Sequence, residues 1–81
     1  MSYLSELAPG ETALVLNIDK SDIGRRLSEL GLVAGTRVSC IARAALGGPS
    51  AFLVRGGVMA LRRESARAVL IKRLPGGELW D

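Results

Sequence analysis

The sequence predicts a mainly β protein with one short helix, a small antiparallel β-barrel in which a strongly bent sheet carries the helix as an insertion after its first strand. Three observations predict it. Five segments of four to eight residues are rich in β-branched and aliphatic side chains and alternate with period two. One segment, between the first two of these, has apolar residues at the i, i+4, i+7 spacing of an amphipathic helix. The remaining separators are short and Gly-rich, so consecutive strands are joined by tight turns and the sheet is antiparallel. Closing such a sheet into a partial barrel hides its edges. With 81 residues the chain makes one domain with one core, and a chain of that size buries only about 60–65% of its unfolded surface.

Leu4 and Leu7 form a short apolar lead-in that the turn dipeptide Pro9-Gly10 breaks. Residues 11–18, ETALVLNI, read as the first strand, with Ala13, Val15 and Asn17 on one face and Leu14, Leu16 and Ile18 on the other. Asp19, Ser21 and Asp22 are N-cap candidates for the helix after it; short acidic side chains there accept backbone N–H bonds and face the positive end of the helix dipole. Its inward residues are Ile23, Leu27 and Leu30, and Gly31 supplies the stop. Arg25, Arg26 and Glu29 point outward, with Arg25 and Glu29 spaced to pair across one turn.

Four further strands are expected over 36–42, 51–55, 58–61 and 68–73. Gly47-Gly48-Pro49 ends one of them, and Gly56-Gly57 joins the next two across a two-residue hairpin turn that needs positive φ. Arg63 to Ala66 is long enough for a single helical turn. The inward set is Ala13, Val15, Ile23, Leu27, Leu30, Val38, Cys40, Phe52, Val54, Ala60, Leu61, Ala66, Val69 and Ile71, an aliphatic core. The domain is placed over 1–74, with 75–81 as a tail in which Pro75-Gly76-Gly77 makes a turn and then frees the chain.

Composition narrows the chemistry. The chain has no His, the commonest general base and zinc ligand, and a single Cys, so no Cys-based metal cluster can form. Cys40, between Val38 and Ala42 in an alternating run, reads as a small buried hydrophobe. The eight acidic residues are scattered, with no calcium loop and no phosphate loop among the motifs. The reading is therefore a non-enzyme with no catalytic residue, no metal ligand and no cofactor. No apolar run nears the roughly 18 residues of a membrane span and the start lacks the pattern of a signal peptide, so the cytoplasm is the default compartment. The formal charge of +3 comes mostly from Arg, a residue suited to capturing carboxylate or phosphate. The positives are dispersed, and Tyr3, Phe52 and Trp80 are too few and too scattered for base stacking, so no nucleic acid is expected. Arg25-Arg26, Arg55 and Arg62-Arg63 read as solvating strand ends, their stems covering apolar surface.

In order, the chain contains Leu4-x-x-Leu7-x-x-Gly10, then Arg25-Arg26-Leu27-Ser28-Glu29-Leu30-Gly31-Leu32-x-x-Gly35, then Gly56-x-x-Met59-Ala60-Leu61-Arg62-x-x-x-Ala66-x-x-Val69-x-Ile71. These residues, spanning about 4–73, resemble the FeoA family. The resemblance implies an SH3-like barrel with a helix after the first strand, and a small cytosolic accessory or regulatory protein that docks on FeoB, the membrane GTPase that imports ferrous iron. It also brings transition-metal binding as a family-level property. Gly10, Gly31, Gly35 and Gly56 match turn or cap positions of the family, and Leu27, Leu30, Leu61, Ala66, Val69 and Ile71 match core positions. Where the family often has a Pro-x-Gly-Asp-Pro type of loop after the second strand, this chain has Ala45-Leu46-Gly47-Gly48-Pro49, without the carboxylate. Contact with a FeoB-like partner is assigned to Arg25, Arg26, Leu46 and Arg62, and membrane association runs only through that partner. The outline also resembles the SH3-like regulatory module of metal-dependent transcription regulators. Those modules follow a DNA-binding domain and no helix-turn-helix is present here, so a regulator of this kind would act through another protein. The third reading is a small nucleic-acid-binding barrel.

Overall fold

The computed structural model describes residues 1–75. Beyond Pro75 the expected tail, with Trp80, lies outside the described residues. In chain order come β1 (Ser2–Tyr3), a 3-10 turn (Leu4–Glu6), β2 (Thr12–Ile18), α1 (Asp22–Glu29), β3 (Arg37–Arg43), a second 3-10 turn (Ala45–Gly47), β4 (Ser50–Val54), β5 (Gly57–Leu61), α2 (Arg63–Ala66) and β6 (Val69–Arg73). They form one six-stranded antiparallel sheet in the order β1-β6-β2-β3-β4-β5. The helix follows the first long strand, as its spacing predicts. The additional strand, β1, is too short to show any period, and it pairs with β6, which stitches Ser2 and Tyr3 to Ile71 and Leu70.

Two bulges bend the sheet. In β2, Val15 faces Ile71 while Asn17 faces Leu70 and Ile18 faces Val69, which leaves Leu16 as the extra residue. The expected alternation therefore breaks: Ile18, and not Asn17, joins Val15 on the inner face and packs against the core. In β3, Cys40 opposes Phe52 and Ala42 opposes Ala51, with Ile41 as the extra residue. The buried set includes Ala13, Val15, Leu27, Val38, Cys40, Phe52, Val54, Leu61, Ala66, Val69 and Ile71, and also Leu4, Leu7, Leu32 and Ala68, which the sequence did not place inside. The Oγ atoms of the buried cross-strand pair Thr12 and Ser39 lie 2.9 Å apart and satisfy each other.

Three residues expected in the core are exposed. Ala60 lies next to Leu61 in β5, and since neighbours on a strand face opposite ways, the burial of Leu61 turns Ala60 outward. Ile23 and Leu30 are 41% and 58% exposed because α1 rests on the sheet only through its middle, where Gly24 and Leu27 are buried. Leu30 is already the C-cap. Past it the chain reverses in a Schellman motif, with Leu32 N–H donating to Leu27 O at 3.0 Å and Gly31 N–H to Ser28 O at 3.0 Å. Gly31 takes φ +104, and the reversal drives Leu32 into the core place that the 3.6-residue spacing assigned to Leu30.

The helix begins with Ser21, whose Oγ accepts from Gly24 N–H at 3.0 Å. Arg25 pairs with Asp22 at 2.7 Å and not with Glu29, but with side chains 72% and 95% exposed the pair adds almost nothing to stability. The β4–β5 turn also differs from expectation. Val54 opposes Gly57, so the turn residues are Arg55 and Gly56, with φ 51 and φ 80, and not Gly56-Gly57. The two registers present the same faces to the core, so alternation could not choose between them.

Arg73, at the end of β6, ties three segments together. Its Nε lies 3.2 Å from Glu11 Oε2, its Nη2 donates to Glu6 O at 2.8 Å, and its Nη1 donates to Ser2 Oγ. Glu11 also accepts from Ala8 N–H at 2.7 Å. That backbone bond above all holds the Glu11 carboxyl below the usual carboxylate range; burial opposes it, and the Arg73 guanidinium adds to the lowering. A carboxyl with a folded value below its unfolded value of about 4.3 lends stability that is fully present above that pH and lost as pH falls through the folded value. Chemical denaturation of Glu11→Gln should therefore show a shallower loss of stability below about pH 4.3 than the parent shows.

Gly24 is required by space. A Cβ there would lie 1.9 Å from Asp19 O and 2.8 Å from the Asp19 carbonyl carbon. Gly24→Ala should destabilise by about 1–3 kcal/mol in urea unfolding, despite the better helix propensity of Ala, because backbone and not a flexible side chain must move.

Candidate interaction surface

The four residues assigned to partner contact come from two helices and one loop. Arg25 and Arg26 lie on exposed positions of α1, Arg62 is the exposed N-cap of α2, and Leu46 sits in the 3-10 turn between β3 and β4. α1 packs against α2. The loop of Leu46 also borders α2, since Ala44, Gly47 and Gly48 share a small recess with Arg63 and Ala66. Both segments thus neighbour α2, although no hydrogen bond or ion pair joins any two of the four residues.

Leu46 is the most exposed large apolar residue described, at 104%, and its backbone is left-handed with φ 58. A branched side chain in that conformation is strained, and full exposure gives nothing back from burial. Ile23 and Leu30 add apolar surface at the two ends of α1, and Val33 follows just beyond. Spacing placed Ile23 and Leu30 inside, and the family resemblance also matched Leu30 to a core position, yet both are exposed: spacing cannot tell a buried stripe from one that overhangs its support.

The loop carries no acidic residue, as the sequence shows. Among the described residues no group of three or more His, Cys, Asp or Glu side chains is placed to hold a metal ion. Cys40 is fully buried, and burial pushes its thiol up from the ordinary value. A thiol so held stays protonated at neutral pH, and only the thiolate is nucleophilic. The folded protein should give no reaction with a disulfide thiol reagent, and one thiol per chain should appear on unfolding. Among the described residues no helix is long and apolar enough to cross a membrane.

A bent antiparallel sheet with two bulges, one helix behind its first long strand and exposed residues gathered around a short second helix defines a small SH3-like module. The model of the FeoA domain matches residues 3–73, and the chain belongs to the FeoA family. Its fold is similar to that of the FeoA protein of Stenotrophomonas maltophilia, solved with zinc and described as an SH3-domain protein. That likeness has 32% identity, a TM-score of 0.79, and coverage of 89% of this chain and 91% of that one. The FeoA protein of Chlorobium tepidum is 33% identical with a TM-score of 0.82, over 95% of this chain and 74% of that one. A manganese-dependent transcriptional repressor shares the fold alone, at 22% identity and a TM-score of 0.80, with 89% of this chain covering 40% of that one. No curated protein matches the sequence.

Proposed function

We propose that this protein is a non-catalytic cytoplasmic accessory of ferrous iron uptake that docks on a FeoB-like membrane GTPase. The FeoA-domain match over residues 3–73 carries this reading. It is supported by the relative from Stenotrophomonas maltophilia, described in connection with activation of ferrous iron transport. The docking surface is the α1, α2 and Leu46-loop side of the barrel, with Arg25, Arg26 and Arg62 as cationic contacts and Leu46 as the apolar anchor. An exposed Leu on a strained loop loses little on folding if replaced, and gains most when a partner's pocket desolvates it. The iron chemistry then belongs to the transporter, because the carboxylates here are scattered and the one thiol is buried.

A tagged copy purified from native membranes under conditions that preserve membrane complexes should bring down a large GTPase; repeated recovery without one would overturn the reading. Leu46→Ser should weaken that capture by about tenfold while shifting unfolding stability by no more than about 0.5 kcal/mol. The likeness to a repressor supports a second reading, a regulatory module acting on a transcription regulator. Recovery of a DNA-binding protein in place of the GTPase would favour it.

A further inference from the structure

We propose that the cleft between the 3-10 turn Leu4–Glu6 and α2 is a phosphoryl-binding site, built from the guanidinium groups of Arg43, Arg63 and Arg67 with the hydroxyl of Ser5 and the ring of Tyr3. The cleft has a volume of ≈ 620 Å³ and is lined by these five residues and Glu6. That volume falls within the roughly 300–1,000 Å³ of small-ligand sites. The three arginines arrive from separate places: Arg43 from the end of β3, Arg63 from the first residue of α2, and Arg67 from its C-cap. None has an ion-pair partner among the described residues, whereas Arg25 and Arg73 each do. Glu6, the carboxylate among the described lining residues, uses Oε2 to accept from Tyr3 N–H at 3.0 Å. Three guanidiniums against that carboxylate give the described lining a net formal charge of +2.

Like charges gathered in one groove repel one another, and among the described residues no ion pair offsets that cost. A single carboxylate carries one charge and two oxygens, which suits one bidentate Arg better than three converging ones. A phosphoryl group carries up to two charges and three terminal oxygens, so it engages several guanidiniums at once, and a diphosphate engages all three. The hydroxyl of Ser5 adds a neutral donor. Tyr3 is 46% exposed and offers a flat apolar face beside the charge. The site shares no residue with the proposed docking set, although it adjoins Arg62 and the Leu46 loop across α2, and it does not rest on the transporter reading.

The test monitors backbone amide signals of the full chain by NMR during titration with inorganic pyrophosphate at constant ionic strength. Saturable shifts should concentrate on residues 3–6, 43–48 and 63–67. Each of Arg63→Gln and Arg67→Gln should weaken binding by about tenfold to hundredfold, while Lys72→Gln, at an exposed position of β6, leaves it unchanged. Unaltered spectra of the free variants establish that they fold. The absence of shifts, their even spread over all arginine-bearing segments, or an equal response to succinate would overturn the proposal. Co-sedimentation with vesicles containing a phosphoinositide, lost in Arg63→Gln, supports the site and places the phosphoryl group on a lipid. Saturable binding of pyrophosphate without vesicle binding supports it with a soluble ligand.

Discussion

Pairing of β2 with β6, which sets Val15 opposite Ile71 and Ile18 opposite Val69, is the contact on which the rest of the structure depends. Every other long pairing joins neighbours in sequence, through β2 to β3, β3 to β4 and β4 to β5. β2 and β6 lie at opposite ends of the chain, so their contact carries the loop-closure entropy of the fold. Once they meet, β1 gains the only edge to which it pairs. Leu4 and Leu7 then enter the core as a lid over that end of the sheet. Arg73 is the polar counterpart of this closure, holding Ser2, Glu6 and Glu11 about the end of β6.

Much of this fold is legible in the sequence because two periods, 2.0 and 3.6, carry it. The five longer strands, α1 and the turn at α2 all stand where the periodicity changes, to within a residue or two at their ends. Periodicity fails where one residue is added or where support runs out. The bulges at Leu16 and Ile41 reverse the facing of the residues after them without altering composition. Ile23 and Leu30 keep helical spacing but overhang the sheet, and the Schellman turn hands the core place to Leu32. The Arg55-Gly56 turn differs from the expected Gly56-Gly57 because both registers bury the same faces.

Side-chain clusters are less legible than elements. Sequence adjacency groups Arg25-Arg26 and Arg62-Arg63, yet the structure gathers Arg63 and the C-cap Arg67 of α2 with Arg43 from the distant end of β3. Arg63 and Arg67 are four apart across one helical turn, a signal that sequence alone contains; Arg43 comes to them through two pairings, with Arg43 opposite Ser50 and Ser50 opposite Leu61, just before α2. Arg73 reads as a strand end and is a three-way tie. Leu46, an apolar residue beside two glycines, reads as exposed, and the structure leaves it fully so.

The surface therefore divides into regions of different chemistry. Around α1 and the Leu46 loop, apolar side chains stand among arginines whose sole ion pair among the described residues, Arg25 to Asp22, is solvated and weak. That mixture suits a protein partner, where an apolar anchor gives affinity and a cationic rim steers approach. The cleft of Arg43, Arg63 and Arg67 is an open groove, cationic with a single carboxylate among its described lining residues, and such gathered positive charge favours a compact anion. Both regions border α2, which is four residues long and anchored through Ala66 in the core. A short, core-anchored helix between the two proposed contact regions keeps their separation fixed, so an anion bound in the cleft would act on a docked partner chiefly through charge. By neutralising cleft arginines it would weaken attraction to any acidic surface the partner presents, and that effect would fall with added salt over a Debye length of about 8 Å at physiological ionic strength.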